Sequence, residues 1–252
     1  MDRRDLASSF QDSDVAAAYA HRPPYPEEVF DVLESLLVGT PRTLLDLGAG
    51  EGSLARPMAA RVDLVDAVEI SPAMVAAGRK APGGDRANLR WHVQAAETMT
   101  VAGPYALATA GESLHWMDPE PTFEQLRRVL RPGAVLAVVE RRHHRTPWHE
   151  ELREVIVRYT RNPGYDPEFS LTDELQRRGL FAISGRHETA AVPFRQQMGD
   201  YVEYFHSTSS LARRLMAPEE AEAFRADVAR AVGRTGVLDL EVSAHIVWGS
   251  IV

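Results

Sequence analysis

At 252 residues, with 44% hydrophobic and 25% charged residues, the chain is long enough to bury a sizeable core and has the balance of a globular protein. A formal charge of -8 argues against a general nucleic-acid binder, which needs a basic face to displace phosphate counterions. With no cysteine, disulfides, thiol catalysis and cysteine metal sites are excluded, and no apolar run approaches membrane-spanning length. The start, Met1-Asp2-Arg3-Arg4-Asp5, carries paired arginines with no apolar stretch behind them, so a cytoplasmic location is expected rather than export. Lys80 is the only lysine among many arginines, a codon-level association with a GC-rich bacterial source.

In chain order, Phe10 to Pro26 is polar and aromatic, and Pro23, Pro24 and Pro26 favour an extended lead-in. A helix is expected over Glu27 to Leu37, with Val29, Phe30, Leu33, Leu36 and Leu37 on one stripe. Leu44 to Leu47 then reads as a buried parallel strand running into Gly48-Ala49-Gly50-Glu51-Gly52 and a helix opened by Ser53 as N-cap. Alternate glycines permit positive φ and remove the Cβ atoms that would block a ligand lying on the backbone, with a purely structural strand-to-helix turn as the alternative. A dinucleotide turn has the form G-x-G-x-x-G. Counted from Gly48, its third small residue falls at Ser53, and the glycine here arrives one residue early, at Gly52.

The observed D-x-G-x-G-x-G, from Asp46 to Gly52, resembles the first motif of class I S-adenosylmethionine-dependent methyltransferases. The resemblance implies that Asp46, Gly48, Gly50 and Gly52 bind S-adenosylmethionine, with S-adenosylhomocysteine as product. It implies also that the lead-in folds over the cofactor and that Arg22 neutralises its methionine carboxylate, a task suited to a guanidinium fork. A solvated, surface-packed lead-in is the other reading of Tyr19 and Arg22.

Leu64 to Ile70 is a second strand, and Ser71-Pro72 supply the N-cap and first position of a helix through Arg79. Glu69 lies about 20 positions past the glycine turn, where an acid accepts ribose hydroxyls. A surface glutamate is the alternative. By resemblance Ile70 lies against the adenine, while the Ala96 amide and the Glu97 side chain, after a third strand over Leu89 to Ala95, read its amino group. Capping is the competing role for Glu97.

Tyr105 to Ala110 is a fourth strand ending in Gly111-Glu112-Ser113-Leu114-His115-Trp116, a turn placed where doubly wound sheets hold ligands. Gly111 and Glu112 are expected to face the cofactor. His115 is the candidate general base, since imidazole titrates near neutrality, and Trp116 can lie close to a sulfonium cation. Packing of the following helix is the alternative for both. A helix after Pro119 ends at Arg131-Pro132-Gly133, and Ala134 to Glu140 is a fifth strand. Arg141 to Arg145 is a basic run read as a solvated loop, with binding of an anionic substrate group as the alternative, and His143 is a candidate substrate contact. Its adjacent histidines are poor metal evidence without a third ligand.

Helices follow over Trp148 to Tyr159 and Thr172 to Arg178, with a loop at Asn162 to Pro167 between them. A strand is expected over Phe181 to Phe194, helices around Asp200 to Met216 and Pro218 to Val232, and a final strand within Leu238 to Val252. The run Tyr201 to Ser210 is similar to the cap of the small-molecule members related to trans-aconitate and menaquinone or ubiquinone-biosynthesis methyltransferases. Tyr204 and His206 are candidate substrate contacts there, with a packing face as the alternative.

The expected fold is α/β: a doubly wound, Rossmann-like, seven-stranded, mostly parallel sheet with an antiparallel last strand and a helical cap. One domain is expected, with 1–40 as lead-in over the cofactor, 41–140 as cofactor-binding core, 141–235 as cap insertion including the sixth strand, and 236–252 as last strand. The implied activity is methyl transfer from S-adenosylmethionine to a small-molecule acceptor, with oxygen or nitrogen favoured over carbon. No metal, nucleic acid or membrane is implied, and monomer or homodimer is left open. The alternatives are an NAD-type oxidoreductase and a non-catalytic S-adenosylmethionine-binding regulator.

Overall fold

The computed structural model describes residues 17–161, 169–208, 210–233 and 235–252. The start Met1 to Asp5, the first part of the lead-in from Phe10, the expected loop at Asn162 to Pro167, and Ser209 lie outside the described residues. The chain divides into two compact units. A sheet unit comprises Pro24–Arg142, Phe169–Ala190 and Ser243–Val252; a helical unit comprises the described parts of Met1–Pro23, His143–Glu168 and Ala191–Val242.

In the sheet unit the strands are β1 Thr43–Leu47, β2 Leu64–Glu69, β3 Leu89–Val93, β4 Leu107–Gly111, β5 Leu136–His143, β6 Phe181–Glu188 and the latter part of β8 Val237–Ile251. Their order is β3-β2-β1-β4-β5-β8-β6. The pairs from β3 through β5 are parallel, and β6 runs antiparallel to β8. Every residue of β1 is buried, which is why it reads as an unbroken apolar run rather than an alternation.

Period two nevertheless sorts its side chains. Leu44 faces α1 (Glu27–Ser35) and α2 (Ala55–Met58), packing with Val29, Phe30, Leu33 and Met58. Leu45 and Leu47 face the other way, towards Phe123 and Leu126 of α4 (Pro119–Val129). Each such leucine contributes roughly 1.5–3 kcal/mol through burial. On that second face Asp66 is buried but satisfied, accepting from the Tyr105 hydroxyl at 2.7 Å and meeting His92 Nε2 at 2.6 Å. On β2's carboxyl side, Ser71 Oγ accepts from Met74 N and Pro72 opens α3 (Pro72–Lys80), as the sequence indicates.

The helical unit is built on α5 (His149–Tyr159), α7 (Met198–His206) and α8 (Pro218–Val232), with β7 (Val192–Gln197) paired to the first part of β8. Its core joins Trp148, Tyr159, Tyr201, Phe205 and Phe224. The Tyr159 and Phe224 rings meet edge to face at 5.3 Å. Pro218 starts α8, and Gly233, left-handed at φ +61°, ends it. In the sheet unit α6 (Leu171–Arg177) packs Leu175 beside Phe181.

Four details differ from the sequence reading. The strand expected over Phe181 to Phe194 is two strands, so the sheet has eight rather than seven. The ladder breaks because Thr189 pairs with Ala244 while the Ala190 N–H turns aside to Glu28 Oε2 at 2.8 Å. The helix expected to reach Met216 stops at His206, since the hydroxyls of Ser207 and Thr208 donate to the Tyr204 and Phe205 carbonyls. Ser53 is no N-cap: its hydroxyl donates to Glu51 Oε1, and α2 begins at Ala55. Tyr105 stands ahead of β4, joined to Leu130 by an isolated bridge.

Candidate active site

The order β2-β1-β4 places a topological switch at β1, so ligands are expected beyond the carboxyl ends of β1 and its neighbours. There the chain makes its bare turn. Gly48, Gly50 and Gly52 have φ of +60°, +59° and +85°. A Cβ on Gly48 would lie 2.6 Å from Ser113 Cβ, and one on Gly52 would lie 2.7 Å from the Trp91 ring. Glycine is thus required for both conformation and clearance. The turn is closed by Ala49 N to Val68 O at 3.0 Å and Gly52 N to Ala49 O at 2.8 Å.

Two buried carboxyls brace it. Asp46 accepts from Thr109 Oγ1 at 2.8 Å, tying β1 to β4, and burial pushes its pKa up from 3.8 to about 7, with the neighbouring Glu69 charge adding to the rise. Glu69, 6% exposed, accepts from Gly50 N through Oε2 and from Ser71 N through Oε1, each at 2.8 Å. Burial raises its pKa, against the opposing pull of those backbone N–H groups. Each carboxylate oxygen keeps capacity for a second donor. Ile70 beside it is 52% exposed, an unusual position for a large apolar side chain. Ala96 is buried, and the Glu97 carboxylate accepts from Asp118 N at 2.9 Å, a loop tie of the capping kind.

At the end of β4, a Cβ on Gly111 would meet Leu54 at 2.8 Å and the Tyr25 hydroxyl at 2.9 Å. Glu112 has φ +52°, the one positive φ outside glycine among the described residues. Such a residue stores strain that its surroundings must hold. Its carboxylate accepts from the Arg141 backbone N at 3.2 Å and from the Arg141 guanidinium. Ser113 Oγ donates to Leu47 O at 2.6 Å. His115 is exposed, its ring 4.5 Å from that of half-buried Trp116.

Arg22, His143, Tyr204 and His206 belong to the helical unit. The Arg22 guanidinium donates to Ser207 Oγ at 2.9 Å and Ser207 O at 3.0 Å, and lies 4.1 Å over the Tyr19 ring. Tyr204 Oη and His143 Nε2 are 2.9 Å apart. His206 is 2% exposed, with Nδ1 bonded to Leu211 O at 2.8 Å and its ring edge-on to Phe224. Burial lowers its pKa, partly offset by the bond to the Leu211 carbonyl.

Sequence reasoning passed over Thr109, Ser113, Tyr25 and Arg141. Arg141, assigned to a solvated basic loop, has a side chain only 4% exposed, stacked 3.9 Å from the Tyr25 ring centre. Period two in β5 carried the missing signal. Ala137 and Val139 point into the Tyr25 core, and Arg141 is next on that face.

Residues 44–133 match a family described as a methyltransferase domain. Uncharacterized methyltransferases of Mycobacterium tuberculosis and Mycobacterium bovis are 36% identical over 157 residues. A further uncharacterized methyltransferase, from Schizosaccharomyces pombe, is 27% identical over 156 residues, 60% of each chain. The match to the mycobacterial proteins spans 62% of this chain and 62% of their length. In fold, the chain is similar to a protein from Anaeromyxobacter dehalogenans assigned by inference as a type II methyltransferase. That likeness has a TM-score of 0.63 at 24% identity, over 90% of this chain and 96% of that one.

Proposed function

We propose that this protein, whose residues 44–133 match a methyltransferase domain family, transfers a methyl group from S-adenosylmethionine to a small-molecule acceptor. One observation carries the reading: three left-handed glycines at the end of β1, with the carboxylate of Glu69 seated on the Gly50 and Ser71 amides. That arrangement fits a nucleoside. The bare turn admits close backbone approach, Glu69 takes the ribose hydroxyls, and exposed Ile70 offers an apolar face to the base. The Ala96 amide and Glu97 read the amino group of the base, and Gly111 and Glu112 close the far wall.

The bound sulfonium supplies an already activated methyl group, so no covalent nucleophile is needed from the protein. The chain's own contribution is to align the acceptor with that methyl and to exclude water. Positioning of this kind is worth up to about 7–11 kcal/mol in model reactions. His115 takes the proton of an acceptor that arrives protonated at oxygen or nitrogen. The charge of -8 supports a metabolite over a nucleic acid as acceptor.

The test is incubation with methyl-labelled S-adenosylmethionine and fractionated metabolites, read by mass spectrometry. Label in a small molecule together with S-adenosylhomocysteine formation is expected. Cofactor binding without any labelled product identifies a regulator instead.

A further inference from the structure

Behind Glu112 stand Arg141 and Tyr25, two residues to which the transfer chemistry gives no part. Glu112 is held at φ +52° with its carboxylate on both the backbone and the guanidinium of Arg141. The Arg141 guanidinium is in turn pinned over Tyr25, whose hydroxyl reaches the space a Cβ would fill at Gly111. The next residue, Ser113, is tied to Leu47 O and fills the space in front of Gly48. A continuous chain of contacts therefore runs from Arg141 through Glu112 and Ser113 to the glycine turn, all within the sheet unit.

We propose that Arg141 is a positioning residue for this turn: it holds Glu112 in the left-handed conformation and thereby keeps Ser113 seated against Gly48. The proposal rests on reading that turn as the S-adenosylmethionine site. Arg141 binds both carboxylate oxygens of a residue whose left-handed backbone is strained, so the contact favours a conformation that Glu112 does not adopt readily by itself. A glycine at position 112 adopts φ +52° without strain and makes the clamp unnecessary.

The experiment compares wild type, R141Q, E112G and the double variant E112G/R141Q, each confirmed folded by circular dichroism at the working temperature. S-adenosylhomocysteine affinity is measured by calorimetry. Hydrogen exchange of peptides spanning residues 47–53 and 111–117 is measured without ligand. R141Q is expected to weaken binding about tenfold and to speed exchange in both peptides. In the E112G background the arginine is expected to matter little: E112G/R141Q should bind within about threefold of E112G alone, with exchange in both peptides alike in the two. If R141Q does not fold, R141K, which keeps the charge and loses the fork, takes its place. Unchanged behaviour in the arginine variant overturns the proposal, as does a loss of the same size when Arg141 is replaced in the E112G background. Should wild type not bind S-adenosylhomocysteine, the functional reading fails, while the exchange data still decide whether Arg141 holds the turn.

Discussion

Gly48→Ala probes the turn at its tightest point. The new Cβ would lie 2.6 Å from Ser113 Cβ, 2.9 Å from Met117 Cε and 3.0 Å from Ser113 Oγ, at a residue with φ +60°. Left-handed backbone costs alanine about 1–2 kcal/mol, and overpacking adds roughly 1–3 kcal/mol. The total is about 2–5 kcal/mol. Gly133→Ala is the internal control, with φ +82° and nothing within 4 Å of its Cβ, so only the backbone part of about 1–2 kcal/mol applies. Urea denaturation followed by circular dichroism gives both values from midpoints at unchanged slope. G48A is expected to be clearly the less stable of the two and to lose S-adenosylhomocysteine binding, which G133A keeps. Equal destabilisation of the two variants would refute the claim that Ser113 is seated against the turn.

Glu69→Gln places an amide NH2 against either Gly50 N–H or Ser71 N–H. Leaving a donor facing a donor costs about 1–3 kcal/mol and is expected to weaken S-adenosylhomocysteine binding roughly 10- to 100-fold by calorimetry. An unchanged affinity removes Glu69 from the site. Asp46 gives a pH signature: its native pKa of about 7 lies above the ordinary 3.8, so in that window the native state binds the extra proton. Stability from this group is therefore present at low pH and lost as pH rises towards 7. Urea midpoints of D46N should decline less between those limits than wild type does; parallel profiles would contradict the assignment. His115→Gln is expected to lower kcat roughly a hundredfold with S-adenosylhomocysteine affinity unchanged; an intact kcat assigns His115 to packing.

The core of the fold is legible because its signals are local. Leu44 to Leu47 is buried on both faces, the glycines follow at once, and Ser71-Pro72 and Gly233 mark helix ends by their own chemistry. Where the sequence reading failed, long-range partners decided the outcome. Glu28 draws the Ala190 amide out of the ladder and splits β6 from β7, and no alternation within Phe181 to Phe194 records that. Arg141 opens a charged run and so reads as solvent-facing, yet the strand's own period turns it inward onto Tyr25. For His206 the residue type leaves substrate contact and packing both open, and the structure buries the ring beside Leu211 and Phe224. The glycine turn and its two carboxyls, Asp46 and Glu69, were legible from residue types, whereas Thr109, Ser113 and Arg141 behind them were not.

The central claim is that the turn from Asp46 to Gly52, with Glu69, holds the methyl donor. Parallel calorimetric titrations of the wild-type chain with S-adenosylhomocysteine and with NAD test it most directly. Saturable one-to-one binding of S-adenosylhomocysteine is expected, lost in G48A and weakened in E69Q, with no heat from NAD. Saturable binding of NAD with S-adenosylhomocysteine silent would contradict it.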